Sequence, residues 1–170
     1  FTPAPNFFGN GGFAVQASLN NSDAGLGGGA VTANVTINPS ADTPSVTDSA
    51  TNEDVQTTSG LVITRNPADG LEVTHVQVTA ITNGTLFQND GTTPIANNAF
   101  ITFAQANAGL KFTPAANFFG TGSFAVQSSV GGTAAGLGGP TGTANINVAA
   151  VADTPSVTDS TTTEDIQTIA

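Results

Sequence analysis

The sequence predicts an all-β sandwich that recurs along the chain, and three observations carry this. Residues 1–59 and 112–170 agree at 36 of 59 positions when laid over each other at an offset of 111. Apolar and polar residues alternate in short runs, the period of a half-buried strand. No stretch shows the period of an amphipathic helix. A fixed internal period signals an array of like units and must be read before anything else.

The repeat is sharpest at Ala41-Asp42-Thr43-Pro44-Ser45-Val46-Thr47-Asp48-Ser49, which recurs as Ala152-Asp153-Thr154-Pro155-Ser156-Val157-Thr158-Asp159-Ser160. Phe1-Thr2-Pro3-Ala4 recurs as Phe112-Thr113-Pro114-Ala115, and Asn6-Phe7-Phe8-Gly9 as Asn117-Phe118-Phe119-Gly120. The expected organisation is one complete sandwich unit, 41–151. The C-terminal part of a preceding unit, 1–40, comes before it, and the N-terminal part of a following one, 152–170, comes after. Both ends fall in mid-unit, so the chain is expected to be a window on a longer tandem protein. A unit of 111 residues is large enough to bury its own core.

Composition narrows the function. Only 8% of the residues are charged, and Arg65 and Lys111 are the only bases against twelve acids. Phosphate recognition needs clustered Lys and Arg, so nucleic acid is excluded as the expected partner. An anionic membrane surface is excluded for the same reason, and no apolar run reaches spanning length. Cys, Met, Trp and Tyr are absent. No disulfide or thiolate site exists, and the most easily oxidised side chains are missing, which suits an exposed surface protein.

Taken in order, 13–16 and 32–37 alternate as two strands around a loop rich in Asn and Gly. Ala33, Val35 and Ile37 are expected to face a core, yet two strands alone cannot bury that face. In the complete unit, 44–48 reads as a short edge strand where Pro is tolerated. A polar kink is expected at 49–54, then a short piece at 55–58. Residues 61–64 form a strand, and Asn66-Pro67-Ala68-Asp69-Gly70 is turn chemistry. Residues 71–81 read as one long strand with a bulge near Thr74 and His75, where the apolar phase slips. Asn83-Gly84 is the strongest two-residue hairpin signal and leads into 85–88. Asn89-Asp90-Gly91 is a further turn. Strands follow at 100–103, 110–113, 123–129 and 143–148, with the loop aromatics Phe118 and Phe119 expected to plug the end of the sandwich. Seven or eight strands per unit fit an immunoglobulin-like layout.

The run Asp69-Gly70, Asn83-Gly84-Thr85-Leu86, Phe112-Thr113-Pro114, Asn117-Phe118-Phe119-Gly120-Thr121-Gly122-Ser123-Phe124 and Ala152-Asp153-Thr154-Pro155 resembles the tandem cadherin-like repeats, of VCBS and RTX-adhesin type, of large bacterial surface proteins. Each motif is short, and it is their order and spacing that is specific. The resemblance implies an immunoglobulin-like sandwich exported to the bacterial surface or secreted. It implies a role as stalk, filament or adhesin, and often Ca²⁺ at the junctions between units. Carried over residue by residue, the metal ligands would be Glu53 and Asp54 at the kink, with their copies Glu164 and Asp165. Asp42 and Asp153 would add the linker ligands, and Asp69 and Glu72 those of the loop. Asp42 would meet Asp69 and Glu72 at one end of the unit, and Glu53 and Asp54 would meet Asp153 at the other, each site completed by the neighbouring unit. Eight of the twelve acids fall in the two junction copies. The turn here lacks the doubled Asp usual for the family. The alternative is that these carboxylates are solvated and keep a fibre soluble.

The remaining candidates are weaker. His75 is the single histidine, on an extended strand, and reads as a surface or bulge residue. Lys111 sits between Leu110 and Phe112, so alternation turns it outward and away from any isopeptide chemistry. Asn20-Asn21-Ser22, Asn34-Val35-Thr36 and Asn83-Gly84-Thr85 match the glycan acceptor pattern. No nucleophile elbow, phosphate loop or paired-His motif is present, so an enzyme is not expected. The expected function is a structural repeat whose partners are neighbouring repeats or copies of the same protein. The alternative is a module that binds a glycan or host surface through the Gly-rich loops 20–31 and 131–142.

Overall fold

A computed structural model describes residues 1–168. The predicted front end of a following unit, 152–170, therefore includes two residues outside the described ones. The chain opens with β1 (Gly9–Ser18) and β2 (Leu26–Ile37), an antiparallel hairpin joined through a single 3-10 turn at Asp23–Gly25. Two short strands follow, β3 (Ser45–Val46) and β4 (Ser49–Asn52), then β5 (Ile63–Thr64), β6 (His75–Thr82) and β7 (Gly84–Phe87). Next come β8 (Pro94–Ile95), β9 (Phe100–Thr102), helix α1 (Phe103–Asn107) and β10 (Lys111–Pro114). The hairpin β11 (Gly120–Ser129) and β12 (Gly142–Ala149) closes the unit.

Residues 41–151 fold as an immunoglobulin-like β-sandwich. One sheet has the order β4-β12-β11-β6-β9. The other holds β10-β7-β8 and the pair β3-β5. These last two pieces are stitched together by backbone bonds from Leu110 N–H to the Leu61 carbonyl, 3.1 Å, and from Thr57 N–H to the Phe112 carbonyl, 2.9 Å. Between the sheets lie Leu61, Ile63, Val76, Val78, Leu86, Phe112, Phe124, Val126, Ile146 and Val148, all buried. Their spacing of two along β6, β11 and β12 is what places every second side chain in the core.

The initial segment of the unit belongs to both sheets. β3 pairs antiparallel with β5, and three residues later β4 pairs parallel with β12. The kink predicted over 49–54 is thus mostly strand, and the real corner is confined to Glu53 and Asp54, where Asp54 has φ +61°.

Three further expectations are corrected. Asn83-Gly84 is no hairpin, because β6 pairs with β11 and β9 while β7 pairs with β10 and β8. It is the corner at which the chain changes sheet. Asn83 takes φ +60° and its side-chain amide donates to the Thr121 carbonyl at 3.0 Å. Gly84 is required by packing, since a Cβ there would stand 2.3 Å from the Phe112 ring. The strand predicted over 71–81 begins at His75, and its irregularity lies at Ala80, φ +52°, where the register against β11 shifts between Ser123 and Ala125. Finally, Phe103 begins a five-residue helix rather than ending a strand. Thr102 and Gln105 form its capping box, a signature present in the sequence but too short to show a period.

The hairpin β1–β2 repeats β11–β12 in detail. Asn6 and Asn117, Gly9 and Gly120, and Gly28 and Gly139 pair up at the same offset with the same positive φ. The Phe112 ring packs on Gly122, and Phe1 packs on Gly11 in the same way. The surroundings differ. Phe124 and Val126 are 0% exposed, whereas their counterparts Phe13 and Val15 are 51% and 57% exposed. The other repeated segment folds differently in its two places: 45–52 holds two strands, while 152–163 holds none.

Phe112→Ala is expected to cost about 3–5 kcal/mol in guanidinium denaturation, because it empties the site between Gly84 and Gly122. Gly122→Val should cost about 1–3 kcal/mol by overpacking the same ring. Leu71→Ala, on an exposed residue, should stay within about 0.5 kcal/mol of the parent.

Candidate functional site at the two junctions

The first junction is built from the linker and the loop after β5. Asn66 shapes the loop: its carbonyl accepts from Asp69 N–H at 2.9 Å and its Oδ1 from Ala68 N–H at 3.0 Å. Its Nδ2 reaches across to the Thr43 carbonyl, 3.1 Å. The loop thereby presents Asp69 to the linker, and Asp42 N–H donates to both carboxylate oxygens, at 2.9 and 3.2 Å. Glu72 turns back on its own loop and accepts from Gly70 N–H at 2.8 Å. Arg65 braces the loop from behind, with Nε on the Val73 carbonyl and the guanidinium 4.7 Å from the centre of the Phe103 ring. A shallow cleft of about 190 Å³ lies here, between Phe7 and Phe8 on one side and Asp42 and Glu72 on the other.

Asp69 carries the electrostatic record of this arrangement. Burial pushes its carboxyl above the ordinary carboxylate range, and the charges of Asp42 and Glu72 push the same way. The bond from Asp42 N–H and the charge of Arg65 pull it back.

At the second junction, buried Glu53 holds the exit of the chain. Its N–H donates to the Ala149 carbonyl at 2.9 Å, and its carboxylate accepts from Val151 N–H. Asp54 accepts from Asn117 N–H at 3.0 Å and so pins the loop before β11 to the corner. Asp153 is exposed two residues beyond Val151, as are Glu164 and Asp165 in the terminal segment. Asp165 keeps the φ of its counterpart, +63° against +61°.

The structure therefore brings Asp42 and Asp69 into direct contact, places Glu72 beside them, and sets Glu53 and Asp54 at the other end, where the chain leaves toward exposed Asp153. Among the described residues, no three His, Cys, Asp or Glu side chains converge closely enough to hold a metal ion. Ca²⁺ takes six to eight oxygens, so these side chains do not fit the ion unaided. What they do within one chain is accept backbone N–H groups where strands end. Sequence reasoning passed over Asp48, which does the same for Asn145 N–H at 2.7 Å. Its presence in both junction copies was the available signal. His75 lies at the start of β6 with Nδ1 2.8 Å from the Thr74 hydroxyl. Lys111 reaches the Thr58 carbonyl, 2.6 Å.

No protein-family description matches the sequence, and no curated protein matches it either. Among solved structures, the PKD domain of human KIAA0319, determined in solution, is similar at 17% identity and a TM-score of 0.34, over 70% of this chain and 92% of that one. A likeness of that extent carries no weight beside the sheets described above. Among the described residues, no helix is long and apolar enough to cross a membrane.

Two carboxylates should titrate in opposite senses. Asp90 is held down to about 2 by hydrogen bonds, first from the Thr93 hydroxyl and then from Thr93 and Thr92 N–H. Its contribution is present above the unfolded pKa and is lost as pH falls through the folded one. Asp69 has a raised folded pKa, so its contribution is present at low pH and is lost as pH rises through that value. Denaturation between about pH 2 and about pH 6 should show Asp90→Asn losing its deficit toward acid and Asp69→Asn gaining on the parent toward neutrality.

Proposed function

We propose that this chain is a section of an extracellular structural array of end-to-end β-sandwich units, in a filament or adhesin stalk of a bacterial surface. The observation supporting this is the parallel pairing of β4 with β12. Linker residue Pro44 lies beside Gly142 at the start of β12, and the exit at Val151 lies beside Glu53 past its end. Entry and exit thus occupy opposite poles, which is what an array needs to extend rather than fold back. The intervening stretch of 42–53 spans about 40 Å at strand rise. Both poles are braced by backbone hydrogen bonds to acids, and Pro44 restricts the linker at one backbone angle. The task is mechanical: each unit resists unfolding, and each junction limits bending.

Chains of two, three and four consecutive 41–151 units should lengthen by about 40 Å per unit in small-angle scattering. A maximum dimension that stays constant, or grows only as a compact globule does, removes the array.

Ca²⁺ is a second component of this proposal. The observation favouring it is that Asp42 and Glu72 both bring negative charge to partly buried Asp69 at the first junction, which a cation with added ligands from an adjoining unit would relieve. Millimolar Ca²⁺ is expected to raise the melting temperature of a two-unit chain, and a chelator to reverse it. Asp69→Asn should remove most of that shift. An unchanged melting temperature on chelation leaves the junctions metal-free.

A further inference from the structure

The linker that leads into the unit lies against the loop between β11 and β12. Ala41 is separated from Gly138, and Asp42 from Gly139, by the same 97 positions that separate Ser49 from its β12 partner Ile146. The linker thus extends the track of β4 upstream, past the start of β12. A Cβ on Gly138 would stand 2.5 Å from the Ala41 carbonyl oxygen, and one on Gly139 would stand 2.6 Å from both the Asp42 carbonyl carbon and the Thr43 nitrogen. A Cβ on Gly142 would stand 2.8 Å from the Pro44 carbonyl oxygen. The linker backbone therefore fills the space that side chains on this loop would take. The loop is itself held in place. Gly138 N–H donates to the Ser128 carbonyl at 3.1 Å, and Gln127 Nε2 to the Gly139 carbonyl at 2.7 Å. The loop after β5 grips the same linker, Asn66 at the Thr43 carbonyl and Asp69 at Asp42 N–H. Ala41 and Pro44 are buried between these neighbours.

We propose that the Gly-rich loop 131–142 is a seat for this chain's own linker, and that the seat makes residues 41–44 a rigid part of the unit they lead into. Bending between units then falls upstream of Ala41, where β2 has ended at Ile37 and Asn38 and Ser40 are exposed. The parts belong to the repeat. Gly138 and Gly139 recur as Gly27 and Gly28, and the linker recurs as Ala152–Pro155. Gly28 keeps the backbone angle of Gly139, φ +70° against +64°. Gly142 has Val31 as its counterpart, so the part of the seat that the repeat shares is the glycine pair. Glycine is usually a source of freedom in a chain; here its missing side chain lets two backbones close on each other. The junction is stiffened by that contact, with or without a cation.

This inference deepens the structural-array proposal: where units bend rests on that reading, whereas the seat stands within one unit. The test uses the 170-residue chain. Nitrogen-15 relaxation of the parent should give residues 41–43 order parameters like those of β11, about 0.85, with lower values at Asn38 and Ser40. In hydrogen exchange, Gly138→Ala should lower the protection of Asp42 N–H about tenfold, the loss of one bond to a charged acceptor. The amides of β6 and β11 should keep their protection, which shows that the variant is folded. Gly131→Ala lies in the same loop with open space around it and should leave Asp42 N–H as in the parent. Order parameters below about 0.6 at 41–43 in the parent would overturn the proposal, and this measurement decides even where Gly138→Ala fails to fold. Unchanged protection of Asp42 N–H in folded Gly138→Ala overturns it as well. So does an equal loss in Gly131→Ala, the mark of a loop that loosens as a whole. The array fails by a different result, tandem chains that do not lengthen, and that result leaves the order parameters of 41–43 untouched, so the two failures are distinguishable.

Discussion

The edge of β12 is the constraint on which this structure depends. A hairpin such as β11–β12 has one apolar face and two open edges, and in isolation it buries neither. The unit solves this by giving β11 to β6 and β12 to β4, then closing the face with Phe112, Leu86 and Leu61 from the opposite sheet. Because β4 comes from the start of the unit and runs parallel to β12, sealing the edge also fixes where the chain enters and where it leaves. One pairing therefore sets both the stability of the five-stranded sheet and the direction in which the chain crosses the unit.

The carboxylates follow from that arrangement. Where a neighbouring strand stops or the chain turns, a backbone N–H lacks a ladder partner and a side-chain acceptor can take that place. Asp48, Glu53, Asp54 and Asp69 each take one such group. They cluster near the junctions because strands begin and end there. The family resemblance reads the same clustering as metal ligands, and the alternative reads it as solvated charge. The geometry directs each of these four acids toward a backbone N–H of its own unit.

The hairpin at the start of the chain makes the dependence visible. It has the register, the turn and the positive-φ positions of β11–β12, yet Phe13 and Val15 face solvent where Phe124 and Val126 are enclosed. Local sequence is enough to build the hairpin and says nothing of what covers it. The residues 49–52 teach the same lesson in reverse. They are polar, lack alternation and look like a kink, but they become β4 once β12 lies alongside. Their copy at 160–163 forms no strand.

By itself, the sequence determined the period of 111, the all-β class, the two hairpins and most of the core, because alternation and turn residues act over a few neighbours. Only the tertiary structure decided which strands share a sheet. Asn83-Gly84 carries the local signature of a hairpin, and the Phe112 ring packed over it makes it a corner between sheets instead. The acids were visible as a cluster but not as backbone acceptors, because their partners at Asn117, Asn145 and Val151 are 63 to 98 residues distant in the chain. Contacts at that separation are set by packing between sheets, which no short stretch of residues encodes.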